Sequence, residues 1–210
     1  MSRVCFLDMD GVVVDFMSYL IEKFGGDRNI LINSEKYPLP FPLDYYVPEH
    51  SKEKVYTDWK VDDWVAMKKL PWADELISYL EFVFGVENIY FCSDPGIPGT
   101  QWFEISAIGK GKWIQQNYPR YTERLILTKK KESLASPNKI LLDDTESVFT
   151  SFVARNGGAV LVPNYWNTHY SILLEHKNEG VYGPKASSAV FNFLASRVQS
   201  FVRAGCCGQS

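Results

Sequence analysis

Short apolar runs recur along the chain, and each gives way to polar residues: Val4 to Leu7, Ile89 to Cys92, Leu125 to Leu127, Ile140 to Leu142 and Ala159 to Val162. Apolar runs of this length predict strands buried on both faces, the habit of a parallel sheet. Helical patterns lie between them. Leu76, Tyr79, Leu80 and Val83 recur at helical spacing and stop before Gly85, while shorter patterns cover Trp113 to Asn117 and Ser147 to Ala154. Strand alternating with helix predicts an α/β fold, an open parallel sheet with helices on both faces.

Residues 16–70 interrupt that rhythm. A helix from Phe16 ending near Gly25-Gly26 is followed by Pro38, Pro40, Pro42 and Pro48 together with Tyr45, Tyr46, Tyr56, Trp59 and Trp64. So many rings exceed what a linker needs. The stretch reads as a small, mainly helical insert standing over the strand ends, where its rings either close on a ligand or form the insert's own core. The chain thus divides into a catalytic core at 1–15 and 71–175, the insert, and an extension at 176–210. From about Ser187 the extension places Val190, Phe191, Leu194, Val198, Phe201 and Val202 at helical spacing. This amphipathic helix packs on the parent domain or on a second copy of the chain, as a homodimer would require. Its polar face is poor in Lys and Arg, which argues against a membrane surface.

With 210 residues, 46% of them hydrophobic, the chain can bury a full core. A formal charge of -3 argues against a broad footprint for polymeric nucleic acid, so any phosphate bound here is expected on a small molecule. No basic segment leads into a long apolar one at the N-terminus, so a cytoplasmic location is expected. Four cysteines are present: Cys5 and Cys92 fall within strand runs, and Cys206-Cys207 lies in a tail expected to be disordered. That spacing is neither a disulfide framework nor a zinc site, and it fits a reduced compartment.

Candidate chemistry collects where the strands end, the rim at which open parallel sheets bind ligands. Asp8-Met9-Asp10-Gly11 follows the first run, Ser93 and Asp94 the second, Thr128 and Lys129-Lys130-Lys131 the third, and Asp143-Asp144 the fourth. Residues i and i+2 of an extended segment share a face, so Asp8 and Asp10 are expected to aim at one point. Two carboxylates so close need a cation between them or a proton on one. Carboxylates without His or Cys partners suit a hard cation such as Mg²⁺, and a nearby lysine would offset phosphate charge. An aspartate can itself attack phosphorus, dividing one hard hydrolysis into two easier steps.

In this order Asp8-Met9-Asp10-Gly11-Val12, Ser93, the lysines and Asp143-Asp144 resemble the motifs of the haloacid dehalogenase superfamily of phosphotransferases. Within it the chain is most similar to the 5'(3')-deoxyribonucleotidases, through Asp8 to Phe16, Leu70-Pro71, Lys112-Trp113-Ile114, Arg124 to Lys129 and Leu141 to Asp144. Gly157-Gly158 and the aromatic stretch with Asn167 and His169 fit the same family's closing segment. The likeness covers roughly residues 1–175 and is faint through the insert.

The resemblance implies a Rossmann-like core with a cap inserted after the first strand, and a Mg²⁺-dependent phosphomonoesterase acting on nucleoside monophosphates. By the same resemblance Asp8 is the nucleophile and Asp10 the acid and base. Ser93 and Lys131 hold phosphate, with Lys129 or Lys130 as alternatives to Lys131, and with Lys110 and Lys129 nearby. Asp8, Asp143 and the backbone of Asp10 would hold the metal, with Asp144 behind them. Phe16, Trp64, Tyr45 and Trp59 would receive the base. Asp94 departs from the small hydroxyl residue usual in the nucleotidases, and is expected to point away or to contact a sugar. A sugar phosphate or a nucleic-acid 3'-phosphate are alternative substrates, and a non-catalytic binding protein is the rival from another class.

Overall fold

In the computed structural model residues 2–40, 55 and 57–204 are described. Strand β1 (Val4–Leu7) leads through helices α1 (Phe16–Lys23), α2 (Ile30–Asn33), α3 (Val61–Ala66) and α4 (Ala73–Phe84) to β2 (Ile89–Ser93). Then come α5 (Gln101–Asn117), β3 (Leu125–Leu127), β4 (Lys139–Asp143), α6 (Glu146–Ala154), β5 (Gly158–Leu161), α7 (Ser171–Leu174) and α8 (Pro184–Ala204). Each of the five expected strands is present to within a residue or two. They form one sheet in the order β3-β2-β1-β4-β5, with every neighbouring pair parallel.

The order has a functional consequence. The chain moves outward from β1 through β2 to β3, then returns to β1's other side with β4 and β5. A reversal of that kind splays the connections apart and leaves a crevice beyond the strand ends, here between β1 and β4. Because Leu7 pairs with Leu142, Asp8 and Asp143 follow side by side at the crevice.

Strand alternation sorts the core into two layers. Cys5, Leu7, Ile89, Phe91, Ile140 and Leu142 join a large cluster with Leu20 of α1, Leu76 of α4, Trp113 of α5 and Val190 of α8. Phe6, Cys92 and Leu141 face the other way, onto Phe152 and Val148 of α6. Burial on both faces is why these strands read as unbroken apolar runs.

The helix expected only over Trp113 to Asn117 is longer, starting at Gln101, where the Thr100 hydroxyl accepts a hydrogen bond from the Phe103 amide at 3.2 Å. Gly109-Lys110-Gly111 obscures its periodicity. Gly109 is required there because the Trp64 side chain fills the space a Cβ would take, so α3 lies directly on α5. The C-terminal helix docks within the chain. Val190, Leu194 and Val198 are buried, Tyr79 of α4 donates to the Ala195 carbonyl at 3.1 Å, and Phe201 covers Gly158 of β5.

From the 16–70 stretch, α1 and α3 are tied by Asp63, whose Oδ1 accepts from Lys23 Nζ at 2.6 Å and from the Tyr19 hydroxyl at 2.9 Å. Tyr45 and Tyr46, like Cys206-Cys207, lie outside the described residues. Among the described residues no helix is long and apolar enough to cross a membrane.

Candidate active site

The chain turns at once on leaving β1. Asp8 still belongs to the sheet, its amide donating to the Leu142 carbonyl at 3.0 Å, but the Met9 carbonyl accepts from the amides of Val12, Val13 and Val14. Gly11 makes this possible with φ +72, and a Cβ there would strike the Asp144 carboxylate. Asp8 and Asp10 both border one cavity, and each carboxylate meets its own lysine.

Lys131 serves Asp8. From the start of a 3₁₀ turn, its buried ammonium donates to Asp143 Oδ2 at 2.7 Å and stands 2.8 Å from Asp8 Oδ1, off the hydrogen-bond axis and so an ion pair. Burial works against the charged lysine, yet the Asp8 and Asp143 carboxylates outweigh it and raise its pKa. Of the three consecutive lysines only Lys131 is buried among carboxylates; Lys129 and Lys130 are exposed. Lys129 stands 3.8 Å from Asp94 Oδ2.

Lys110 serves Asp10. It reaches from the middle of α5 and is 1% exposed, with Nζ donating to Asp10 Oδ2 at 2.7 Å, Ser93 Oγ at 2.8 Å and the Asp94 carbonyl at 2.7 Å. The Trp64 ring lies 4.8 Å from that ammonium. Asp10 Oδ1 is buried without a hydrogen-bond partner. Burial raises the Asp10 pKa, with Lys110 pulling the other way and the Asp8 charge reinforcing the rise.

Asp143 and Asp144 complete the floor. Oδ1 of Asp143 accepts from the Thr145 amide at 2.9 Å, and Oδ2 of Asp144 accepts from Trp166 Nε1 at 2.9 Å. Burial, and then the neighbouring carboxylates, raise the pKa of Asp144 well above the ordinary value; burial together with Asp8, against Lys131, raises Asp143. Asp8, Asp143 and Asp144 each offer an oxygen within 4.8 Å of the others. Three buried carboxylates around one ammonium carry excess negative charge in a purely oxygen donor set, which fits a hard divalent cation.

These groups surround a cavity of about 340 Å³, into which Asp8, Asp10, Ser93, Lys131, Lys129 and Asp144 all project. Phe16 lines it as well. Asp94 also lines it, but its Oδ1 is engaged by the Gly96 amide at 2.7 Å and its Oδ2 faces Lys129, which relieves the repulsion toward phosphate that an extra carboxylate would bring.

Trp59 and Trp64 do not line the cavity. They are 1% and 3% exposed because they stack with Phe16 and each other as a core, Trp64 lying 5.5 Å from the Phe16 ring at 20°. They back Phe16 and Lys110 rather than offering a platform.

Sequence reasoning missed the brace formed after β5. Asn164 Nδ2 donates to the Gly11 carbonyl at 2.7 Å, Trp166 to Asp144, and Asn167 Nδ2 to the carbonyls of Asp144 and Val162 at 2.9 and 2.8 Å. Asn167 had only a family likeness to mark it. Asn164 and Trp166 carried one signal: polar and aromatic residues directly after a fifth apolar run, the position that supplied candidates on the other four strands.

No protein-family model and no curated protein matches the chain. Among solved structures, a HAD family hydrolase from Deinococcus radiodurans R1 with bound phosphate and sodium superposes with a TM-score of 0.40 at 10% identity, over 86% of this chain and 97% of that one. The overlap is loose.

Proposed function

We propose that this protein is a metal-dependent phosphomonoesterase of the haloacid dehalogenase type that hydrolyses nucleoside monophosphates through a phosphoryl group carried on Asp8. The observation that carries the reading is the separation of two aspartate–lysine pairs at one crevice: Asp8 with Lys131 and Asp143, and Asp10 with Lys110 and Ser93.

In the first step an Asp8 oxygen attacks phosphorus and the ester P–O bond breaks, while Asp10 gives its proton to the departing oxygen. The raised pKa of Asp10 suits an acid that must hold a proton before that transfer. In the second step Asp10 takes a proton from water, whose oxygen attacks the same phosphorus and releases phosphate and a free Asp8. Ser93 Oγ and Lys131 hold the phosphoryl oxygens. Lys131 also offsets the charge of the nucleophile, which otherwise repels a dianionic substrate. Asp8, Asp143 and Asp144 would hold Mg²⁺, which supplies charge neutralisation at the phosphoryl group. Trp166 and Asn167 keep Asp144 in place.

Phosphate release from ribo- and deoxyribonucleoside monophosphates, set beside sugar phosphates with and without Mg²⁺, tests this reading. Turnover of nucleotides that requires Mg²⁺ is expected. Equal rates across the panel would overturn the nucleotide assignment, and no release from any member would overturn the phosphatase.

A further inference from the structure

The turn that carries Asp10 is gripped by side chains from two distant parts of the chain. The Gly11 carbonyl accepts from Asn164 Nδ2 at 2.7 Å, and the next carbonyl, that of Val12, accepts from Trp72 Nε1 at 2.9 Å. Asp8 has its own tie to the sheet through the Leu142 carbonyl, so these grips act on the turn beyond it.

Both gripping side chains are fully buried, and both meet Tyr182. The Tyr182 hydroxyl donates to Asn164 Oδ1 at 3.3 Å, and its ring stands edge-on to Trp72, with centroids 5.5 Å apart and planes at 83°. The Tyr165 ring packs against it at 5.4 Å. Tyr182 is itself buried and has φ +57, in the left-handed region that a residue with a Cβ resists. A residue stays in such a conformation only where its surroundings over-determine it. Burial, and then the Asp15 carboxylate, raise its pKa well above the ordinary tyrosine value, so the hydroxyl remains a donor. A carboxamide has a donor end and an acceptor end of nearly equal size, and only the donor end can satisfy the Gly11 carbonyl. The Tyr182 hydroxyl engages the opposite end and so holds that orientation.

We infer that Tyr182, from the extension that follows the catalytic core, is a positioning residue for the reaction: it orients Asn164 and backs Trp72, which together fix the carbonyls of Gly11 and Val12 and thereby the place of Asp10. The inference rests on the phosphomonoesterase reading, in which Asp10 gives its proton to the departing oxygen. Displacement of the turn moves Asp10 from that oxygen while Asp8, tied to the sheet, keeps its place.

The test uses substrates that differ in their need for that proton. The alkyl oxygen of a deoxyribonucleoside 5'-monophosphate or of glycerol 2-phosphate leaves poorly without one, whereas 4-nitrophenolate leaves as the anion. In the two-step reaction kcat/KM reads the step in which the leaving group departs, before water enters. In Mg²⁺, Tyr182→Phe retains the ring and loses the hydroxyl. It is expected to lower kcat/KM for the alkyl phosphates about tenfold, a part of what general acid catalysis supplies, and for 4-nitrophenyl phosphate less than about twofold. Asn164→Ala should show the same selectivity, and Tyr182→Phe added to it should cost less than about twofold more, since the two act through one grip. Should Asn164→Ala fail to fold, Tyr182→Phe decides alone. Equal falls for alkyl and aryl substrates, the mark of a merely structural role, would overturn the inference, as would alkyl kcat/KM in Tyr182→Phe within about twofold of the wild type. Wild-type hydrolysis of 4-nitrophenyl phosphate and of neither alkyl phosphate would overturn it alone; hydrolysis of none would overturn the phosphomonoesterase as well.

Discussion

Lys110 donates from Nζ to Oδ2 of Asp10 at 2.7 Å, across 100 positions of sequence, and the same ammonium holds Ser93 Oγ at 2.8 Å. The proposed acid and the proposed phosphate-binding hydroxyl are therefore set by one buried cation on α5, while Lys131 is left to the nucleophile and the metal site. Replacing Lys110 by Met would leave Asp10 inside the crevice with neither oxygen paired. Loss of one member of a fully buried pair costs about 3 kcal/mol or more; with the Asp10 side chain 27% exposed and able to take a proton, the cost here is expected below about 3 kcal/mol. Urea unfolding of Lys110→Met should show that loss, together with a fall of about a hundredfold in phosphate release. Wild-type stability would contradict the pairing.

Two neighbouring glycines of α5 should respond in opposite directions. Trp64 occupies the space beside Gly109, whereas nothing lies within 4 Å of the position a Cβ would take at Gly111. Gly109→Ala should destabilise by about 1–3 kcal/mol through overpacking. Gly111→Ala should stabilise by up to about 1 kcal/mol through helix propensity. Denaturant midpoints of the two variants, measured side by side, check the sign.

Much of this was legible in the chain. Five apolar runs marked the five strands because a parallel sheet covered on both faces needs apolar residues at nearly every position, and the polar residue ending each run marked the rim. Other features were hidden by physical causes. Asp8 and Asp10 both border the cavity, but their separate lysine partners follow from the turn stacked on the Met9 carbonyl one residue after Asp8, and a two-residue periodicity cannot anticipate where a strand stops. For Trp59 and Trp64 platform and core both stayed open in the sequence, because residue type does not separate a ring facing a ligand from one facing other rings. Asn164 and Trp166 hold the site through side-chain contacts to residues far away in sequence, for which no local pattern exists.

The carboxylate cluster predicts a metal-linked gain in stability. After chelation, Mg²⁺ at about a hundred times its Kd should stabilise the native state by about 2.7 kcal/mol, read as a rise in the thermal midpoint. Asp143→Asn, which removes one of the three oxygen donors, should abolish most of that rise. An equal rise in the variant would place the ion elsewhere.

His169 meets Phe193 of α8 edge-on at 4.9 Å, and burial, helped by the Arg197 guanidinium, lowers its pKa from the ordinary 6.5. The folded imidazole binds a proton less readily than the unfolded one, so stability is lost as the pH falls through about 6.5 toward the lowered value. Thermal midpoints of wild type and His169→Gln between about pH 7 and pH 5 should diverge, the wild type falling more steeply. Parallel curves would contradict it.

The role of Asp8 is tested most directly by acid-quenching the protein with a nucleoside monophosphate in Mg²⁺ and mapping the modified residue by mass spectrometry. The account predicts a phosphoryl group on Asp8, labile to hydroxylamine, and absent from Asp8→Asn together with phosphate release. Phosphate release by Asp8→Asn at a rate near the wild type's, or a phosphoryl group mapped to another residue, would contradict it.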